Sequence, residues 1–315
     1  MKKVDTILDE VFTLLGGEKE EEILYSYNLK SNEEVKNKID KALELEPNSS
    51  RTYRYLGMYY EALKDYDSAI KNLNLAIELE PESAAAYNSL AAVYDDLGRS
   101  LLAFKYYKQA IDLSPKEPKY YRNLGSLYRQ NNEYGEAIKE FRTALELNPT
   151  SHRTVKNLAI TYNKIGNYDE AIKLFDKAID LAAEDYDSLI SKGRCYEYSK
   201  KYDKALKEYK KAISIDPNRY EAYCHSGFSY GSRNTTQAKE QLLKALSIKP
   251  DHLLSLRMLA AIHADSKEYD KALSFLHKAE TVDPKNTATV SFLGGLYEKM
   301  GKDKEALSYY KKLST

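Results

Sequence analysis

The sequence predicts an all-α array of antiparallel helix pairs, and three observations predict it. Prolines recur at a fixed step: Pro47, Pro81, Pro115 and Pro149 stand 34 residues apart, Pro217 keeps the phase with Ala183 in the place between, Pro250 comes one residue early and Pro284 resumes the step. Small residues recur inside that step. Gly57, Ala91, Gly125, Ala159, Gly193, Gly227, Ala260 and Gly294 hold one phase, and Ala69, Ala103, Ala137, Ala171, Ala205, Ala238, Ala272 and Ala306 hold another. Apolar residues follow helical spacing between the prolines: Tyr121, Leu124, Gly125 and Tyr128 share one helical face, and Ala137, Phe141 and Ala144 share a second. A period in this range marks a repeat array. The small residues have a physical reason, since two helices approach closely only where one presents a small side chain and the other fills the remaining space.

Taken in order, residues 3–15 read as an amphipathic helix with Val4, Ile7, Leu8, Val11, Phe12 and Leu15 on one side. Gly16–Gly17 are expected to end it, and the run Glu18–Glu22 to be a solvated helix start. Ser31 with Glu34 reads as a capping box for a helix running to Pro47, with Ala42 in the Ala144 phase. Residues 1–49 are therefore an N-terminal helix and a degenerate leading half-repeat. Residues 50–315 are an array of about eight units: 50–83, 84–117, 118–151, 152–185, 186–219, 220–252, 253–286 and 287–315. The last stops in its second helix, where Leu313 stands in the Ala144 phase. That helix is expected to fray or to be covered, by a partner or by self-association with another copy. Residues 183–238 are the least regular, with Lys192 and Ser226 at apolar phases and one residue missing between Gly231 and Thr236. Departures of this kind are either compensated locally or mark a junction that flexes.

The combination of an aromatic, Leu-Gly, Tyr, then Ala, an aromatic and Pro resembles the tetratricopeptide repeat, over residues 50–315 or so. The chain departs from that pattern by having no Trp; Tyr53, Tyr87, Tyr121 and Tyr223 hold the aromatic place, and Val155, Leu189, Leu256 and Val290 hold it elsewhere. The resemblance implies a right-handed superhelical solenoid whose first helices line a concave groove, where such proteins bind extended peptides. The carboxylate clamp of chaperone-binding members matches only loosely, since its phases hold Arg54, Met58, Ser89, Lys119 and Asn123 here.

Composition narrows the function. Lysine and arginine number 48 against 48 aspartates and glutamates, and that balance argues against whole-chain attraction to nucleic acid or to a membrane surface. Cys195 and Cys224 make neither a ligand spacing nor a disulfide framework, and unpaired cysteines fit a reducing, cytoplasmic setting. The start of the chain carries Asp5, Asp9 and Glu10 where a signal peptide needs an apolar run. Phosphate loops, nucleophile elbows and paired-histidine motifs are missing. His152, His225, His252, His263 and His277 have no ligand spacing, so no enzyme, cofactor or metal is expected.

The non-packing side of each first helix is the informative surface. There the first units place Arg51, Arg54, Asn88, Lys119, Arg122, Asn123, Arg129, Arg153, Lys156 and Asn157. Up to Lys164, bases outnumber acids eight to three, the acids being Glu61, Asp95 and Asp96. Beyond it the stripe is mixed, with Asp187, Arg194, Glu197, Glu221, Cys224, Phe228 and Arg257. Asparagine amides can satisfy both the N–H and C=O groups of an extended peptide, and the bases suit carboxylates. The expected function is a non-catalytic protein–protein interaction module that binds an extended, acidic segment of another protein. The bland alternative is a solvated face. The others are a structural scaffold that assembles a complex through its end and convex faces, and an RNA-binding helical repeat.

Overall fold

The computed structural model describes residues 2–15 and 29–313. Among the described residues the chain is all-α. It begins with α1 (Lys2–Leu14), α2 (Leu29–Leu45), α3 (Ser50–Ala62), α4 (Tyr66–Leu79), α5 (Ala84–Asp96), α6 (Ser100–Leu113), α7 (Pro118–Gln130), α8 (Tyr134–Leu147) and α9 (His152–Lys164). It continues with α10 (Tyr168–Leu181), α11 (Tyr186–Tyr198), α12 (Tyr202–Ile215), α13 (Tyr220–Tyr230), α14 (Thr235–Ile248), α15 (Leu253–Asp265), α16 (Tyr269–Val282), α17 (Thr287–Lys299) and α18 (Asp303–Lys312). Within the first unit α3 pairs with α4, α5 with α6 and α7 with α8 as antiparallel helices, and within the second α11 pairs with α12, α13 with α14, α15 with α16 and α17 with α18. Gly16, Gly17 and Glu18–Glu22 lie outside the described residues. The capping box is corrected: α2 begins at Leu29, ahead of Ser31, a shift of the size that helix ends commonly show.

The helix-pair turns, apart from the one after α13, each contain a residue in the left-handed region. Lys64, Gly98, Asn132, Gly166, Lys200, Lys267 and Gly301 all have φ between 56° and 77°. Second helices end on an extended residue just before the periodic proline, as at Glu80 and Asn148, because proline excludes the α region from its predecessor. Ala182 takes the same conformation with Ala183 behind it.

The chain forms two compact units, Met1–Thr161 and Tyr162–Thr315. In the first, α1 packs on α2 and α3 through Val4, Leu8, Val11, Val35, Ile39 and Tyr55. The predicted small phase is the contact surface of each pair: Ala69, Ala103 and Ala137 are fully buried, and a Cβ on Gly125 would stand 2.9 Å from the Phe141 ring. First helices also meet across pairs, α3 with α5 and α5 with α7. Their outward residues therefore share one continuous face.

In the second unit, the irregular stretch is compensated locally. Lys192 is buried where leucine is usual, and its ammonium pairs with Asp176 at 2.6 Å and with buried Glu208 at 3.1 Å. The missing residue is absorbed by a 3-10 turn over Gly231–Arg233. The last helix is fastened as well. Lys312 pairs with Glu280 at 2.9 Å, the Tyr309 hydroxyl donates to Glu280, and Tyr310 donates to Glu298 at 2.7 Å. Leu307 and Leu313 remain exposed.

Candidate functional site

The first-helix face of Met1–Thr161 carries the predicted residues, and the structure sorts them. Arg51 does not serve the face, because α1 takes it: its guanidinium pairs with Asp5 at 3.2 Å and Asp9 at 2.6 Å. Nothing in the repeat phase announces this, since α1 lies outside it. Arg54 lies over the Tyr55 ring at 4.4 Å and donates to the Met58 sulfur. Its charge acts on Lys119, two pairs further on. Lys119 sits above Tyr120, and its ammonium is held below the usual lysine range. Burial is the main cause; Glu117 opposes the shift, while Arg54 and Arg122 add to it. Three cations from α3 and α7 thus converge on one patch.

Beside that patch Asn123 donates its amide to the Asn88 oxygen at 2.9 Å, joining α7 to α5. Arg129 is desolvated, which lowers its pKa, and its Nε is buried without a hydrogen-bond partner. On α9, Arg153 is exposed while Lys156 and Asn157 are half-buried.

The sequence reading undervalued the three acids. Glu61 ends α3, and Asp95 and Asp96 end α5. Burial, then the charge of Asp96, pushes Glu61 up to about 8. The same causes push Asp95 up to about 6. Asp96 is raised by burial and moderated by Lys64. Beneath them Tyr107 of α6 is buried; burial and the three carboxyls raise its pKa, and Arg122 opposes them. A sequence signal for this did exist. Where the second helix sets a tyrosine ring against the small residue, the first helix carries an acid four residues after that small residue: Asp95 with Tyr107, Glu197 with Tyr209, Glu298 with Tyr310. Where the core ring is Phe141 or Phe175, that place holds Arg129 or Asn163.

In the second unit several of the corresponding side chains are partnered within the chain, although one oxygen of Glu221 is buried without a hydrogen bond. Asp187 pairs with Arg219 at 2.9 Å. Glu197 accepts from Ser229 at 2.8 Å and faces His225 at 3.3 Å, and Arg257 donates to Asn286. Cys224 is buried and Phe228 exposed. Burial pushes the Cys195 thiol up to about 12, far from a nucleophilic thiolate at neutral pH. Among the described residues no group of three acids, histidines or cysteines is placed to hold a metal, and no helix is long and apolar enough to cross a membrane.

Family profiles described as tetratricopeptide repeat match residues 48–116 and 151–218, 118–151 and 289–315. No curated protein sequence matches the chain. Among solved structures, YrrB, described as a TPR protein with an unusual peptide-binding site, is 26% identical, covering 60% of this chain and 97% of its own with a TM-score of 0.50. The Cut9–Hcn1 hetero-tetramer of the APC/C is 16% identical over 82% of this chain and 52% of its own, with a TM-score of 0.62. The human IFIT1 dimer with m7Gppp-AAAA is 18% identical over 98% of this chain and 71% of its own, with a TM-score of 0.61; at these identities the likeness is one of fold.

Proposed function

The chain belongs to the tetratricopeptide repeat family, and we propose that it is a non-catalytic binding module whose first-helix face in Met1–Thr161 holds an extended, acidic segment of another protein. Tetratricopeptide repeat proteins generally bind other proteins. The observation that carries the acidic specificity is the convergence of Arg54, Lys119 and Arg122 beside the Asn88–Asn123 pair. Like charges crowded on a partly desolvated patch cost energy that an anion restores. The asparagines face the same surface, where they offer a donor and an acceptor to an extended backbone. The peptide-binding site described for YrrB supports this class of ligand. The balanced net charge speaks against an RNA ligand.

Each exposed contact contributes only ~0.2–1 kcal/mol, so the face acts through several at once and binding weakens with salt. The test compares Lys119→Glu with Arg122→Glu against a control pair on second helices, Lys105→Glu with Lys139→Glu. The face pair is expected to lose captured partners and their salt dependence, and the control to keep both. If the face pair changes neither while staying folded, the scaffold reading replaces this one. That reading draws on the exposed Leu307 and Leu313 of α18 and predicts self-association on a sizing column.

A further inference from the structure

We infer that the outer side of α12 is a second interaction surface, a line of lysines that docks a flexible, acidic segment of a partner protein. It belongs to Tyr162–Thr315 and stands independently of the first-helix face proposed above.

The turn before α12 and the helix itself read KKYDKALKEYKK over 200–211, six lysines against two acids. At about 100° per residue, Lys204, Lys207, Lys210 and Lys211 fall within about 120° of one another, opposite Ala205, Tyr209 and Ala212. The latter three are fully buried, and the four lysines are exposed, as is Lys200. The two acids are neutralised by the very departures that make 183–238 irregular. Glu208 is buried, its carboxylate 3.1 Å from the ammonium of Lys192, which is itself buried where leucine is usual. Asp203 pairs at 3.2 Å with Arg233, the last residue of the 3-10 turn that absorbs the missing residue. That guanidinium lies over the Tyr202 ring at 4.7 Å. Lys211 reaches Glu208 at 3.2 Å, and Lys201 reaches Asp169 at 3.7 Å. Among the described residues, Lys200, Lys204, Lys207 and Lys210 have no carboxylate partner. The out-of-phase lysine and the shortened turn thus share one effect: they satisfy the acids of α12 from within its own unit and leave ammonium groups facing out.

Like charges three and four residues apart on a helix repel one another, and an anionic ligand relieves that repulsion. The geometry of the stripe selects the anion. It is one helix wide, about 10 Å, and α10 and α14, the second helices before and after it in the array, expose Asp180 and Glu240. A single acidic strand laid along α12 avoids those carboxylates, whereas a duplex or a membrane surface would meet them. α12 also exposes no large apolar side chain to enter a bilayer. It offers no open ring for unpaired bases to stack on, since Tyr202 lies under Arg233 and Tyr209 is buried. Lysine suits a flexible acidic segment, because its ammonium is a compact charge on a mobile stem and imposes no fixed fork geometry.

The test uses the full chain carrying Lys119→Glu/Arg122→Glu, so that the first-helix face does not contribute, with a fluorescent polyglutamate peptide as the probe. This chain is expected to bind the peptide, less tightly as salt is added. Adding Lys204→Glu/Lys207→Glu/Lys210→Glu should weaken binding by roughly tenfold, the sum of several exposed contacts. Lys105→Glu/Lys139→Glu/Lys244→Glu, the same change of net charge on other second helices, should leave it nearly unchanged. Melting curves check that each variant folds, and Lys207→Gln/Lys210→Gln, also expected to weaken binding, replaces the triple reversal if that does not. A photoreactive residue at Ser214, on the outer side of α12, should crosslink to the peptide. The surface is overturned if the starting chain does not bind the peptide, or if the α12 changes weaken binding no more than the control set. A single-stranded oligouridine or phosphatidylserine vesicles binding α12 more tightly than the peptide would overturn it as well, since the partner would then be a nucleic acid or a membrane.

Discussion

Glu61 carries the clearest energetic signature of the face. Its carboxyl keeps a proton up to about pH 8 in the folded chain against an ordinary value of 4.5. Between those values the folded state therefore holds a proton that the unfolded state has lost, so stability falls as pH rises through the window, by at most about 1.4 kcal/mol per pH unit. Glu61→Gln is expected to flatten that slope, which urea titrations at pH 5 and pH 8 would show; an unchanged slope would mean that Glu61 ionises normally. Asp95, raised to about 6, adds its own fall between 3.8 and 6. The residue scale also shows what a sequence can reveal. Arg54, Lys119, Arg122 and the asparagines were legible from helical phase alone. The burden on Glu61 was not, because it arises only when α3 and α5 lie side by side. Nor was the loss of Arg51 to Asp5 and Asp9. A backbone prediction belongs here too. Gly98 has φ 68°, and a Cβ there would meet nothing, so Gly98→Ala should cost only the left-handed strain, about 1 kcal/mol, in a thermal melt.

At the scale of helices, the alanine phase decides packing. Ala137 is fully buried, and Ala137→Phe should overpack the contact of α8 with its neighbours and lower stability by ~1–3 kcal/mol, measured by denaturant unfolding. This phase was fully legible, because close approach imposes the same small residue in every unit. Lys192 shows the opposite case. As a single letter it breaks the apolar phase, and only the fold supplies the buried carboxylate of Glu208 and the edge carboxylate of Asp176. Lys192→Met should leave the buried Glu208 with Lys211 as its one remaining cationic partner and cost up to ~3 kcal/mol, whereas Lys192→Met with Glu208→Leu should recover most of that loss. A double-mutant cycle in urea checks both.

Across the whole molecule, a chain of zero formal net charge gathers basic residues along the first-helix face of one unit and pairs Asp187 and Glu197 with bases of their own chain in the other. Balance in composition and imbalance in placement are compatible because second helices and turns carry much of the remaining charge, and only the period reveals which residues share a face. The central claim is that a partner lies along the first helices of Met1–Thr161. Site-specific photocrosslinking tests it most directly, with a photoreactive residue placed at Met58 or Ser126 on the first-helix face, or at Lys105 or Lys139 on second helices. The account predicts that captured partner protein crosslinks from Met58 and Ser126 and that added salt reduces the yield. Crosslinks arising equally or chiefly from Lys105 and Lys139 would contradict it.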